Sequence, residues 1–430
     1  MIKSELLDVI RNYVDKTTVK SKFKPGVDFV PVSGAVISTD DLVSVCDTVL
    51  DGWFTEGKKA KKFSELMSDY IGIRFSILCN SGSSANLLAM MACKDHYPPA
   101  KAKKVITCAT GFPTTIAPII QAGYVPLFVD IDPEIMNPNA EDIAYLLERE
   151  DVAGVIQAHT MGFPFNVFPI CASAAKNGKF FVEDCADALS SEIDGEVVGR
   201  FGDMSTFSFF PAHTLTMGEG GMVLTSSAKL NKSLRSYRDW SRDCVCLPGQ
   251  NDVCGKRFTH TEFGKELEGY DHKYIFTKLG YNLKITEMQA ALGVSQFGSL
   301  QEFISARKDN YEYIYDGLSD LSDYIQFVRP IVGADPVPFG FPITVLHETS
   351  NGLVQFLFQN KIHTRPVFAG NITYHPMMNG VAYYVDERGS LQGSDYVMRH
   401  TFWIGCHPEL NNQHLDYMID KIHEYFKKVM

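Results

Sequence analysis

His213 is the residue of this chain best suited to move a proton during a reaction. It stands in segment 208–221, which combines aromatic residues, Pro211 and a glycine-rich end. An imidazole with a pKa of about 6.5 accepts and returns protons at neutral pH. No lysine occurs between Lys179 and Lys229, so this segment offers no amine for a Schiff base. The pattern predicts proton transfer at His213; for the residue alone, a buried core histidine is the alternative.

A second candidate site is segment 78–88, where an apolar strand pattern passes through Asn, Ser and Gly into a helix pattern. Gly82, Ser83 and Ser84 would place amides and hydroxyls at a helix N-terminus, which attracts phosphate through unsatisfied N–H groups and the helix dipole. Ser208 would add a further hydroxyl. The alternative is an ordinary helix cap formed by Ser83 or Ser84.

Asp184 ends the predicted strand 180–184, and ligands of parallel sheets collect at the carboxyl ends of the strands. A carboxylate there can pair with a protonated ring nitrogen of an aromatic cofactor and strengthen the ring as an electron sink. A strand-end turn or cap is the alternative role for this residue.

Three cysteines in C-x-C-x7-C spacing, Cys244, Cys246 and Cys254, flank a Pro-Gly turn that lets the loop wrap around a metal. Thiolate-rich loops of this kind hold iron–sulfur clusters or zinc. Three unligated thiols are the alternative. Ten cysteines in a long chain without a secretory signal point away from a disulfide scaffold.

Composition narrows the class of protein. The chain has 430 residues, 45% of them hydrophobic, and lacks an apolar run near the roughly 20 residues of a membrane helix. The N-terminus lacks the features of a secretory signal. We therefore expect a cytoplasmic protein without a membrane span. A net charge of −11 disfavours a surface for nucleic acid, but it does not exclude a local basic pocket for a small anion.

The hydrophobic pattern alternates short strands with helices between about residues 70 and 228, which predicts a largely parallel sheet. One long helix is predicted over 286–318 as a connector. The pattern divides the chain into an N-terminal arm (1–65), a large cofactor-binding domain (66–285) and the connecting helix with a small C-terminal domain (286–430). Predicted strands cover 104–108, 125–130, 152–156 and 180–184, and predicted helices cover 139–150, 351–360 and 412–428.

The ordered motifs of this chain resemble the sugar aminotransferase group (DegT/DnrJ/EryC type) of fold-type I pyridoxal-phosphate enzymes. The segments that carry the resemblance are NSGSSAN, TGFPTTIAPIIQAGYVPLFVDID, VEDCADAL, STFSFFPAHTLTMGEGG and LGYNLKITEMQAALG. More narrowly, PAH with MGEGG, RDWSRDCVC, CGKRF, GYDHKY and TFWIG resemble the CDP-4-keto-6-deoxy-D-glucose 3-dehydrase branch. The resemblance implies an α/β fold, with a mainly parallel central sheet flanked by helices and a smaller C-terminal α/β domain.

The resemblance also implies roles for individual residues around pyridoxamine phosphate. His213 would take the place of the family's lysine, so the cofactor would be held without a covalent bond. Phe112 would stack on the cofactor ring, Asp184 would contact the pyridine nitrogen, and Asp187 would contact the phenolic oxygen. Residues implied to bind the phosphate are Gly82, Ser83, Ser84 and Ser208, together with Asn282 from the neighbouring subunit of a homodimer. Positions implied to face the substrate are Tyr270, His272, Lys273, Arg365 and Asn371.

In the resembled branch the cysteine loop carries a [2Fe-2S] cluster, which receives electrons from an NADH-dependent flavin/iron–sulfur reductase. The family's fourth ligand falls on Ala186 of this chain, and Cys185 is the thiol available one residue earlier. A shift by one residue on a strand can point a side chain to the opposite face. Cys185 is therefore expected as a metal ligand only if the backbone turns there.

The implied activity is removal of the C3 hydroxyl from a nucleotide-linked 4-keto-6-deoxyhexose, CDP-4-keto-6-deoxyglucose, in 3,6-dideoxyhexose formation for lipopolysaccharide O-antigen. His213 would remove a hydrogen from the cofactor and then assist departure of the hydroxyl. Two other interpretations stay open. One is a cluster-free dehydratase that takes its amine from glutamate, and the other is a non-enzymatic protein with a degenerate aminotransferase fold.

Overall fold

The computed structural model describes residues 2–17, 22–244, 246, 249–259 and 261–429. Its helices are α1 (Lys3–Thr17), α2 (Thr39–Leu50), α3 (Lys58–Ile71), α4 (Gly82–His96), α5 (Pro113–Gln121), α6 (Ala140–Leu146), α7 (Val167–Asn177), α8 (Ala228–Arg238), α9 (Glu287–Phe297), α10 (Leu300–Leu318), α11 (Asn351–Gln359), α12 (Gln392–His400) and α13 (Asn412–Val429).

The strands are short, and most belong to one large sheet. They are β1 (Phe75–Cys79), β2 (Lys104–Cys108), β3 (Val125–Val129), β4 (Val152–Ala158), β5 (Phe180–Asp184), β6 (Glu192–Ile193), β7 (Glu196–Val197), β8 (Met204–Ser208), β9 (Gly221–Thr225), β10 (Ile325–Gln326), β11 (Ala334–Asp335), β12 (Phe341–Val345), β13 (Arg365–Pro366), β14 (Tyr384–Val385) and β15 (Thr401–Ile404).

The central sheet has the order β1-β9-β8-β5-β4-β2-β3-β14, which confirms the predicted α/β class. The neighbours from β8 to β14 are parallel, while β9 is antiparallel to both β1 and β8. Strands β3, β4 and β5 are buried at every residue. Their near-continuous apolar runs are typical of parallel strands covered by helices on both faces.

A smaller antiparallel sheet, β10-β12-β15-β13, is formed by the C-terminal part of the chain. It packs with α10, α11 and α13 around a core of its own. Strand β14, however, returns to the edge of the large sheet and pairs with β3. The C-terminal part therefore contributes one edge strand to the large sheet.

The prediction of one connecting helix over 286–318 is wrong, because the helix is interrupted after Phe297. Thr286 starts α9 with a capping box closed by Gln289. Gly298, a poor helix former, ends α9, and the backbone of Ser299 leaves helical geometry before α10 begins. The helix predicted over 139–150 is also shorter, since α6 ends at Leu146.

Within the described ranges, no helix is long and apolar enough to cross a membrane.

Candidate active site

A cavity of about 400 Å³ opens at the carboxyl ends of the central parallel strands. The ends of β5 and β8 and the start of α4 form one wall, and segments of the C-terminal part form the other. Of the residues predicted from sequence, the cavity wall includes Gly82, Ser83, Phe112, Asp184, Asp187, Ser208, His213 and Arg365. Residues far apart in the chain thus converge on one site.

One end of the cavity lies at the N-terminus of α4. Ser81 is the actual cap of α4, and its hydroxyl accepts a hydrogen bond from the Ser84 amide at 3.1 Å. Ser84 is therefore committed within the first turn and does not line the cavity, while Gly82 and Ser83 do. A Cβ on Gly82 would lie 2.4 Å from Cβ of Ser208. Only glycine lets the helix start approach the end of β8 so closely.

Asp184 is held by three hydrogen bonds at the floor of the cavity. Asn86 and Thr115 donate to its Oδ2 at 2.8 and 2.7 Å, and the Ala186 amide donates to Oδ1 at 3.2 Å. Asn86 is itself oriented by a hydrogen bond from Thr206 to its Oδ1 at 2.6 Å. These donors fix the orientation of the carboxylate, so a cationic group that enters the cavity would meet it in one position.

His213 lies at the same cavity, opposite Phe339 and beside Asp187. Its Nδ1 is 3.4 Å from Oδ1 of Asp187, and its ring centroid is 5.2 Å from that of Phe339. Arg307, buried on α10, donates hydrogen bonds of 2.9 Å to the carbonyl oxygens of Ala212 and Phe339. Arg307 therefore ties the turn that carries His213 to the segment that packs against its ring.

Burial sets the protonation of this pair. Burial, followed by the positive charge of Arg307, lowers the pKa of His213 to about 3. Burial and the nearby charge of Asp184 raise the pKa of Asp187 to about 8, against the opposing effect of Arg307. At neutral pH the imidazole is therefore neutral. Within the described residues, His213 Nδ1 and Asp187 Oδ2 have no hydrogen-bond partner.

Phe112 and Arg365 occupy the rim of the cavity. Phe112 is half exposed and makes an edge contact with Phe368 at 6.1 Å. Arg365 is exposed on β13, where its guanidinium can meet an anionic group from solvent. Ring stacking and substrate binding, the roles that the resemblance implies for these two residues, stay predictions.

Other predicted residues lie elsewhere. Asn282 is exposed and accepts a hydrogen bond from Lys284. Asn371 is buried and bonded to Asp395 and Thr373, which gives it a structural role within its loop. Tyr270 is exposed outside the cavity wall.

Cys185 points away from the cavity, while its neighbour Ala186 lines it. The Cys185 side chain is fully buried beside Gly199, and burial raises the pKa of its thiol well above the usual value. Its Sγ groups with His159 and Glu183 within 4.8 Å. Glu183 is already satisfied by three backbone amides at 2.7–2.9 Å, so we interpret this group as a core network.

The cysteine loop lies against the turn formed by His272–Tyr274. Cys254 Sγ is 3.3 Å from His272 Nε2, and Lys273 binds the loop through the Gln250 carbonyl at 3.0 Å. His272 and Lys273, predicted to face substrate, are thus engaged with this loop. Val245, Leu247 and Pro248 of the predicted loop lie outside the described residues.

Several residues of the site escape sequence reasoning. Asn86 lies in segment 78–88, which is predicted to bind phosphate, so its place in that segment could have identified it as a site residue. Thr115, Arg307 and Phe339 carry no such signal, because their roles depend on elements that meet only in the fold: α5 against β5, and α10 against the segment before β12.

Comparisons with known proteins identify the family of the chain. A model of the DegT/DnrJ/EryC1/StrS aminotransferase family matches residues 36–423. The chain belongs to this family. It is 42% identical to the lipopolysaccharide biosynthesis protein RfbH of Salmonella typhimurium, covering 99% of this chain and 98% of that protein. It is 40% identical to the dTDP-4-dehydro-2,6-dideoxy-D-glucose 3-dehydratase of Saccharopolyspora spinosa, covering 99% and 92%.

Among solved structures, the chain is similar to E. coli GDP-4-keto-6-deoxy-D-mannose-3-dehydratase with bound hydrated PLP. The TM-score is 0.80 at 24% identity, over 92% of this chain and 99% of that one. Helicobacter pylori PseC, an aminotransferase of pseudoaminic acid biosynthesis, gives a TM-score of 0.80 at 20% identity, over 93% and 100%. These likenesses show that the family shares this fold.

Proposed function

We propose that this protein uses pyridoxamine phosphate to eliminate the C3 hydroxyl of a nucleotide-linked 4-keto-6-deoxyhexose, with CDP-4-keto-6-deoxyglucose as the substrate. The observation that carries the proposal is His213, a neutral imidazole at the cavity where the resembled enzymes place a lysine. The names of two kinds of relative, 3-dehydratases of dTDP- and GDP-linked ketosugars, support the reaction type.

The residues of the cavity fit the cofactor. Gly82, Ser83 and Ser208 form a phosphate-binding end, Asp184 offers a carboxylate to the pyridine nitrogen, and Phe112 presents an aromatic face at the rim. Once bound, the cofactor would supply a primary amine and a conjugated ring that withdraws electrons from the sugar. The chain itself orients the cofactor, because Asn86 and Thr115 fix the carboxylate of Asp184.

His213 would accept a proton beside the bound sugar and return it to the departing C3 hydroxyl as water. Its lowered pKa makes the imidazole a weaker base for the first step and a stronger acid for the second. Asp187, whose raised pKa keeps it mostly protonated at neutral pH, avoids a second negative charge beside Asp184. Phe339, Phe368 and Trp403 line the cavity and exclude water around the reacting atoms.

Completing a deoxygenation requires two electrons, and the proposal assigns their delivery to a [2Fe-2S] centre fed by an NADH-dependent reductase. Support comes from the three thiols of the described loop, Cys244, Cys246 and Cys254. Cys185 does not fit as their partner, since its side chain is turned into the core. The proposal also includes a cytoplasmic homodimer in which Asn282 reaches the neighbouring subunit's cofactor phosphate.

Anaerobic incubation with CDP-4-keto-6-deoxyglucose, pyridoxamine phosphate and a reductase tests this function. We expect a product lighter than the substrate by one oxygen atom, with consumption of NADH. Turnover that instead requires glutamate and releases ammonia, by a colourless protein, would favour the cluster-free dehydratase. Failure to bind pyridoxamine phosphate in calorimetry would favour the non-enzymatic interpretation.

A further inference from the structure

The cysteine loop and the turn that carries His272 are fastened together. The Asp243 amide donates to the Ile275 carbonyl at 2.9 Å, and the His272 amide donates to the Arg257 carbonyl at 3.1 Å. Arg257 also binds Asp271 through two nitrogens at 2.6 and 2.9 Å. Each end of the loop is thus tied to the same short segment.

The four soft donors of this region form two pairs. Cys254 Sγ lies 3.3 Å from His272 Nε2. Cys244 and Cys246 are separated by one residue, and the Cys246 amide donates to Cys244 Sγ at 3.4 Å. The Lys256 amide likewise donates to Cys254 Sγ at 3.4 Å. Amide–sulfur bonds of this kind tune iron–sulfur clusters.

The four donors do not form a single tetrahedral site in this structure. Donors around a single tetrahedral ion, with bonds of about 2.3 Å, lie only about 3.8 Å apart. Within the described residues, however, no three of these four donor atoms lie within 4.8 Å of one another. A two-iron core takes two protein donors on each iron, so two pairs of donors are the number that it requires.

His272 has the setting of a metal ligand. Its side chain is buried, and its Nδ1 lies 3.6 Å from Oδ2 of Asp243 while Nε2 faces the sulfur. A carboxylate behind the imidazole is the usual arrangement that fixes the orientation of a ligating histidine. Imidazole is an established donor to one iron of a two-iron centre.

We infer that His272 Nε2 is the fourth ligand of a [2Fe-2S] centre, with Cys244 and Cys246 on one iron and Cys254 and His272 on the other. The inference rests on the cluster of the proposed function and deepens it. This assignment completes the set of four ligands. The chain has Ala186 at the position of the family's fourth ligand, and the side chain of Cys185 is turned into the core. A neutral imidazole in place of a thiolate makes the centre less negative and raises its reduction potential.

The test uses the full chain, labelled with nitrogen-15 only in histidine and reconstituted anaerobically with ferric iron and sulfide. We expect two irons and two sulfides per chain, and pulsed EPR of the reduced centre should show one directly bound histidine nitrogen. His272→Cys should retain iron and sulfide, lose the nitrogen coupling and lower the potential. His272→Ala should lose most of the cluster, while His347→Gln, a surface control, should behave as the parent.

The possible failures are distinguishable. A two-iron centre without histidine coupling, or with coupling that persists in His272→Cys, overturns the inference and leaves the proposed cluster standing. One zinc ion without sulfide, or no metal at all, overturns both the inference and the cluster. Exchange of the substrate's C3 hydroxyl with labelled water reports separately on dehydration.

Discussion

Arg307 holds His213 in place from behind the cavity, and Arg307→Met tests that role. Methionine keeps an apolar stem but removes the guanidinium, whose hydrogen bonds reach the carbonyl oxygens of Ala212 and Phe339. The first bond fixes the turn that carries His213, and the second fixes the ring beside it. Both supports are lost together in this variant.

The magnitude follows from the buried hydrogen bonds. A hydrogen bond from a charged group contributes about 1.5–3 kcal/mol, so the two bonds at 2.9 Å contribute about 3–6 kcal/mol. Relief of the desolvation of a guanidinium that is 1% exposed offsets part of this. We expect the free energy of unfolding to fall by about 2–4 kcal/mol. An ångström-scale displacement of a catalytic group costs about 100-fold in rate, so elimination should slow by a similar factor.

Two assays separate these effects. Denaturant unfolding measures stability, and incorporation of oxygen-18 from water into the C3 hydroxyl measures elimination without a reductase. Lys308→Met is the matched control, because Lys308 is the next residue of α10 and pairs with Asp335 at the surface, where ion pairs contribute about 1 kcal/mol or less. Cofactor affinity should be unchanged, as Arg307 is outside the cavity wall. If the two variants behave alike in both assays, Arg307 does not position His213.

Three further predictions concern the cavity. The pKa of Asp187 is about 8, above the roughly 3.9 of an exposed aspartate, so the folded chain keeps a proton that the unfolded chain releases between these values. Asp187→Asn should therefore raise the free energy of unfolding at pH 8 by about 2–5 kcal/mol, and not at pH 4, in denaturant titrations. Gly82→Ala should weaken pyridoxamine phosphate binding in calorimetry, because the new Cβ meets Ser208, and Ser208→Gly should restore part of the affinity. Asp184→Asn should slow oxygen-18 exchange by about 100-fold or more, since an amide cannot balance the charge on the pyridine nitrogen.

Each of these predictions has a clear contrary result. Equal stabilisation by Asp187→Asn at pH 4 and pH 8 would show that the carboxyl is not desolvated. If the double variant Gly82→Ala/Ser208→Gly loses as much affinity as the two single variants together, the steric explanation is excluded. Exchange at the parent rate in Asp184→Asn, with Thr115→Val as the control that keeps the carboxylate, would remove Asp184 from the cofactor site.

Much of the architecture could be predicted from local pattern. Strand β5 and its terminal Asp184 follow from a β-branched and aromatic run that stops at a carboxylate, and parallel topology then brings that end to the cavity. The break at Gly298 was missed because apolar residues continue at helical spacing on both sides of it. The spacing of apolar residues shows which face of a helix is buried, and it does not show where the helix is interrupted.

Residues of the candidate site could be predicted only where neighbouring residues in the sequence form a recognisable motif. His213, Gly82 and Ser208 stand in recognisable segments, and the structure brings them together. Arg307 and Phe339 escaped because a buried guanidinium that binds carbonyl oxygens has no partner that a motif could reveal. Ser84 and Asn371 were predicted to bind ligands, yet their polar groups are committed to a helix start and to a loop, which only the completed hydrogen-bond network shows.

The central claim is that His213 moves the protons of a dehydration, and oxygen-18 exchange at C3 tests it most directly. With pyridoxamine phosphate bound, the parent protein should incorporate label from water into the substrate hydroxyl. His213→Asn should bind the cofactor equally well in calorimetry and exchange about 100- to 10,000-fold more slowly. His213→Lys should bond covalently to pyridoxal phosphate, with an absorbance shift, and lose exchange. Exchange at the parent rate in either variant would contradict the account.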